Sequence, residues 1–104
     1  MKRVIDGKVY NTETASRICA IPSYSDNRSD FQWDDTDLYK SPRGTFFLAG
    51  EGGPISMWSI RDSNGWRSGS GIRIVTELDA RGYAEASNLK PEAYERAFGA
   101  VEVG

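Results

Sequence analysis

No histidine occurs among the 104 residues. The chain therefore lacks the side chain that serves most often as general base near neutral pH and as metal ligand. A single cysteine, Cys19, rules out an intramolecular disulfide and a cysteine-based zinc site, and it fits a reducing compartment. Its neighbours Ile18, Ala20 and Ile21 give it the setting of a buried structural thiol and no imidazole to activate it. Apolar runs are short, and none approaches the roughly 20 residues that span a membrane. The opening MKRVIDGKVY carries charges with no apolar stretch behind them, so no signal peptide is expected. The expected location is cytoplasmic. A polybasic stretch is also missing, which disfavours nucleic-acid binding through a basic face.

What is present describes a small folded domain. Apolar residues make up 38% and charged residues 27%, a balance that separates the chain from disordered tails. At this length one domain, 1–104, with one modest core is expected. Three Trp, five Tyr and four Phe are generous for the size, and they suit both core filling and contact surfaces. The net charge of −2 is unevenly spread: residues 26–37 carry −4, with Asp26, Asp30, Asp34, Asp35 and Asp37 against Arg28 alone.

The order of elements follows from turn and cap chemistry. Asp6-Gly7 between Val4-Ile5 and Val9-Tyr10 predicts a hairpin with a type I′ turn. Ile18 to Ile21, closed by Pro22, is too short to decide between helix and strand. Ser23 to Asp30 reads as a loop. FQWDDTDLYK, from Phe31 to Lys40, reads as a strand with Phe31, Trp33 and Asp35 on one side and Gln32, Asp34 and Thr36 on the other. Ser41-Pro42-Arg43-Gly44 is a turn, and TFFLA returns antiparallel until Gly50, Gly52, Gly53 and Pro54 bend the chain. Arg61 to Gly71 reads as a mobile loop and Ile72 to Val75 as a last strand. Thr76 caps a helix carrying Leu78, Ala80, Tyr83, Ala84 and Ala86, with an end near Asn88. Pro91 opens a second helix that Gly99 closes. The fold class is α+β: an antiparallel sheet of about four to five strands with C-terminal helices packed on one face.

Chemical motifs are few. Asp34, Asp35 and Asp37 offer oxygen ligands but lack the glycine and closing glutamate of a calcium loop, so a solvated acidic strand edge is the economical reading. GEGG at Gly50–Gly53 lacks the spacing and the Lys-Ser/Thr of a phosphate loop and reads as a bend. No cofactor, no metal and no enzymatic activity are expected. Arg61, Arg67 and Arg73 with Trp66 suit a flexible nucleic-acid contact, the alternative being a solvated loop.

Three stretches carry a family resemblance: IDGKVYNTETA (Ile5–Ala15), LYKSPRGTFFLAGEGGP (Leu38–Pro54) and TELDARGYAEAS with YERAFG (Thr76–Gly99). With these the chain resembles a family of small proteins carried by phages, plasmids and other bacterial mobile elements, and it looks like an anti-CRISPR protein. The resemblance implies an inhibitor that binds a CRISPR-Cas effector and blocks target DNA binding or cleavage. The contact residues expected on it are Asp30, Trp33, Asp34, Asp35, Asp37 and Tyr39, as an acidic and aromatic patch on a rigid hairpin, with Trp66 and Arg67 as a second contact. The competing function is a nucleic-acid-binding accessory protein of a mobile element using the Arg61–Arg73 loop.

Overall fold

A computed structural model describes residues 1–104. Strands β1 (Lys2–Ile5) and β2 (Lys8–Asn11) form the opening hairpin. Its turn has φ of 52° at Asp6 and 77° at Gly7, the left-handed pair that a type I′ turn requires. β3 (Ser16–Ala20), β4 (Asp34–Lys40), β5 (Phe46–Gly52) and β8 (Gly69–Val75) make an antiparallel sheet in the order β3-β4-β5-β8. A third pair, β6 (Ile60–Asp62) and β7 (Gly65–Arg67), is a short separate hairpin. Helices α1 (Glu77–Ala86) and α2 (Pro91–Phe98) follow. The α+β class and the helices packed on one sheet face are as the sequence predicts.

The pleat divides the sheet cleanly. Leu38, Phe46 and Leu48 face the helices, where they meet Cys19, Trp58, Ala80 and Ala84, with Tyr94 and Phe98 packed around them. Alanine at 80 and 84, one turn apart, lets α1 approach the sheet closely. Phe47 and Ala49 face the other way, against Tyr10 of β2, with Ile5, Ala15, Tyr39 and Ile72 at their margin. The sheet is thus sandwiched between two helices and the opening hairpin. Side-chain ties fix the layers: Lys40 Nζ donates to the Ala97 carbonyl (2.9 Å), and the Ser87 hydroxyl donates to the Ala20 carbonyl (2.7 Å).

Only 15 residues are buried, and the molecule measures 50 × 32 × 20 Å. Its radius of gyration of 14.8 Å exceeds the roughly 13 Å of a compact chain this long. A thin core makes each anchoring contact count.

Local signals explain the helix ends. The Thr76 hydroxyl accepts from the Asp79 N–H (3.1 Å), and α1 ends where Asn88 turns left-handed at φ 55°. Thr76→Ala is expected to cost about 1 kcal/mol and to lower the melting temperature by roughly 4–8 °C, measured by thermal denaturation followed by circular dichroism.

Several expectations change. The strand expected from Phe31 begins only at Asp34, because residues 28–32 fold into turns. Ile18 lies in a strand, where it forms a bulge between Arg17 and Cys19. The expected mobile loop from Arg61 contains a paired hairpin, closed where Asp62 Oδ1 accepts from the Asn64 N–H (2.8 Å). The glycines from Gly50 to Gly52 continue β5 instead of bending it. Leu78, counted with the apolar series of α1, projects to solvent.

Candidate partner-binding end

At the sheet end where Asp34, Gly52 and Gly69 lie abreast, three irregular segments come together. The Asp34 N–H donates to the Ser25 carbonyl (3.1 Å), the Gly53 N–H to the Trp33 carbonyl (2.9 Å), and the Ile55 N–H to the Phe31 carbonyl (2.9 Å). These bonds lay residues 31–33 alongside residues 53–55 almost as two further strands. Asp30 Oδ1 accepts from the Gln32 N–H (2.9 Å) and shapes the approach to that pairing. The Ser56 hydroxyl donates to the Gly53 carbonyl (2.8 Å) and accepts from the Trp58 N–H (3.1 Å), which tightens the exit.

The arrangement satisfies the backbone but leaves large apolar side chains outside. Tyr24 is 76% exposed, Phe31 64%, Ile55 61% and Trp66 57%. Phe31 and Ile55 come from backbones joined by a hydrogen bond, so they are neighbours on this surface. Trp66 stands on β7 opposite Arg61 of β6, whose guanidinium lies 5.7 Å from the ring centre.

The expected acidic and aromatic patch does not survive as one surface. Trp33 is buried (8% exposed) under the Arg28 guanidinium, 4.1 Å from its ring centre, so it offers no open aromatic contact. Tyr39 stacks on Phe47 with centroids 5.3 Å apart and is half-buried. Desolvation, reinforced by Asp37, pushes its phenol above the usual range. Asp34 and Asp35 point to opposite faces because they are successive residues of β4. Asp34 Oδ2 accepts from the Thr36 hydroxyl (2.7 Å). Asp37 is paired with Arg17 at 3.1 Å, a bond that raises the arginine above its ordinary value. Asp35 stays exposed, directly across from Glu51 of β5, and Glu51 is paired with Arg28 at 3.0 Å. The three β4 carboxylates therefore converge on no single point, and the pairing arginines cancel much of the local field.

The second expected contact fares differently. Trp66 is open, while Arg67 lies on the other side of its strand, paired with Asp62 at 3.3 Å. Arg67 lines a cleft of about 460 Å³ with Arg28, Trp33, Glu51, Ile60 and Ser70. Both arginines of that cleft are already matched by carboxylates, which suits a polar rim better than a site for a free ion. Arg73 leaves this group altogether. It lies beside the Trp58 ring (5.7 Å) and donates to the Met57 carbonyl (3.3 Å), so the arginines at 61, 67 and 73 form no common face.

Cys19 is buried, and desolvation pushes its thiol up, opposed more weakly by the Ser87 hydroxyl. It stays protonated at neutral pH. Ile55 and Arg28 are the contributors that sequence reasoning missed. Neither lies on a periodic element: the pairing of residues 31–33 with 53–55 brings Ile55 to this surface, and Arg28 reaches it from the turns at residues 28–32 by lying over Trp33 and pairing with Glu51. No helix is long and apolar enough to cross a membrane. Comparisons with protein families, with curated proteins and with solved structures returned no match.

Proposed function

We propose that this chain is a non-catalytic binding protein that docks on a protein partner through the end carrying Tyr24, Phe31, Ile55 and Trp66. One observation carries the reading: Phe31 and Ile55, each more than half exposed, come from separate segments that a backbone hydrogen bond joins, and Tyr24 and Trp66 also stand open on the segments around this end of the sheet. Monomeric proteins seldom leave such a group open without use. Aromatic residues inside a rim of matched charges are the usual anatomy of a protein contact. Arg28–Glu51 and Arg67–Asp62 supply that rim. Asp35, exposed and without a cationic partner, adds attraction toward a basic surface.

The resemblance to mobile-element proteins supplies the partner: a CRISPR-Cas effector, inhibited by blocking of its target DNA binding or cleavage. The apolar patch would then make the main contact, and the remaining carboxylates would steer the approach to a channel built for nucleic acid.

The test is binding of the purified protein to purified effectors by biolayer interferometry, with target cleavage measured in parallel. The double variant Phe31→Ala, Ile55→Ala is expected to weaken binding about 10- to 100-fold with the melting temperature unchanged, since both side chains are exposed. Asp35→Lys is expected mainly to slow association and flatten its salt dependence. Inhibition that persists at full strength in the double variant would remove this end of the molecule from the mechanism. A salt-dependent DNA shift lost on Arg61→Ala would favour the nucleic-acid reading instead.

A further inference from the structure

At the opposite end of the sheet, two tight turns face one another: Asp6–Gly7 of the opening hairpin and Ser41–Gly44 between β4 and β5. Between them lies a cleft of about 580 Å³ lined by Gly7, Lys8, Val9, Tyr10, Thr14, Ser41, Pro42, Arg43 and Thr45. Its chemistry is one-sided. Two cations line it, and no aspartate or glutamate does. Neither Lys8 nor Arg43 belongs to any of the four ion pairs of the molecule.

The hydroxyl groups point the same way. The Ser41 hydroxyl oxygen accepts from the Thr45 N–H (3.0 Å), which leaves its own proton free to donate. The Thr45 hydroxyl has no partner within the protein. Tyr10 is only 6% exposed, and its hydroxyl likewise has no protein partner. No side-chain oxygen or nitrogen is both sealed from solvent and unbonded, so the Tyr10 hydroxyl keeps some contact with solvent, and Tyr10 lines this cleft. Lys8 and Tyr10 share one face of β2 because they are two residues apart. A tight pair of turns thus holds two cationic groups and three free hydroxyl donors around one space.

From this we infer that the cleft binds a small organic phosphate. The donors exceed what the two oxygens of one carboxylate accept, whereas a phosphoryl group offers three strongly accepting oxygens and close to two negative charges. Arg43 supplies a fork suited to phosphate oxygens, and Lys8 a compact charge. The volume exceeds that of a bare phosphate and falls within the range of small-molecule sites, which leaves room for an attached sugar or base. Pro42, exposed in the β4–β5 turn, provides apolar surface for that part.

The test is a ¹⁵N-resolved NMR titration of the full chain with inorganic phosphate, pyrophosphate and adenosine monophosphate, and with citrate as the carboxylate control, at fixed ionic strength. Pyrophosphate and adenosine monophosphate are expected to move the amides of Gly7 to Tyr10 and of Gly44 to Thr45, saturating at about 1 mM or below. Lys8→Glu and Arg43→Glu should each weaken binding at least about tenfold, in keeping with loss of a charge-assisted contact. Both side chains are exposed, and Arg43 sits in a turn, so an otherwise unchanged amide spectrum verifies the fold. Absence of saturable shifts overturns the inference, as does binding that survives both charge reversals. Citrate binding as tightly as pyrophosphate overturns the assignment to phosphate. None of these readouts involves Phe31 or Ile55, so this site and the partner-binding end stand or fall separately.

Discussion

Trp58→Ala is expected to lower the unfolding free energy by about 3–5 kcal/mol, enough to leave much of the protein unfolded at 37 °C. Trp58 lies in the segment between β5 and β6 and is buried at 6% exposure in the helix-side core. Its indole N–H donates to Thr36 Oγ1 (2.8 Å), and the Thr36 hydroxyl donates in turn to Asp34 Oδ2 (2.7 Å). That relay keeps a fully buried threonine satisfied in the middle of β4. Removing the ring opens a cavity in the helix-side core, over Gly71 and Thr36, and takes away the donor at the same time. Trp58→Phe keeps most of the volume and loses only the donor, so about 1 kcal/mol is expected for it. Urea denaturation of the two variants separates the contributions. Equal, small losses for both would show that the ring anchors nothing.

Gly50→Ala should be nearly as damaging, at about 3 kcal/mol or more, by overpacking instead of by a cavity. Gly50 lies opposite Thr36 in the β4–β5 register. A Cβ there would stand 2.8 Å from Thr36 Cα and 2.9 Å from Thr36 Oγ1, and closer still to the Asp35 carbonyl oxygen. The obstacles are backbone and a side chain already held by Trp58, so nothing can step aside cheaply. Gly82→Ala is the matched control: it lies on the open side of α1 with nothing within 4 Å. There alanine should stabilise by roughly 0.5–1 kcal/mol through helix propensity. Parallel urea titrations read both. A Gly50→Ala protein as stable as the parent would mean that β4 and β5 separate without penalty.

These two sites explain the glycine-rich stretch that ends β5. In the sequence, GEGG invites comparison with a phosphate-cradling loop and otherwise reads as a bend. In the structure Gly50 is smooth strand, and its lack of a side chain serves the close approach of Thr36 and the Asp35 carbonyl. The cleft inferred to take a phosphate lies at the other end of the sheet, on two turns that the sequence marked only as turns.

The legibility of the chain follows the range of the forces involved. Asp6-Gly7, Ser41 to Gly44, Thr76 and Asn88 act within a few residues, and each forms the turn or cap its chemistry demands. The sheet's helix-facing row, Leu38, Phe46 and Leu48, was likewise open to reading from alternation. The acidic patch was not. Asp34, Asp35 and Asp37 are close in sequence, but the pleat sends Asp34 to the helix side, and Arg17 and Arg28 arrive from distant segments to pair with Asp37 and Glu51. Trp33 looked like a contact residue because its segment alternates, yet it precedes the strand and folds beneath Arg28.

The sequence by itself determined the α+β class, the two principal tight turns, the start and stop of each helix, and a chain with no imidazole and one thiol. Those properties depend on local backbone preference and on composition, which need no partner distant in the chain. Tertiary structure decided which charges remain unmatched, which aromatics stay in water, and that Lys8 and Arg43 share a cleft. Each of those outcomes requires residues tens of positions apart to meet, and their meeting is set by packing across the sheet, which no window of sequence contains.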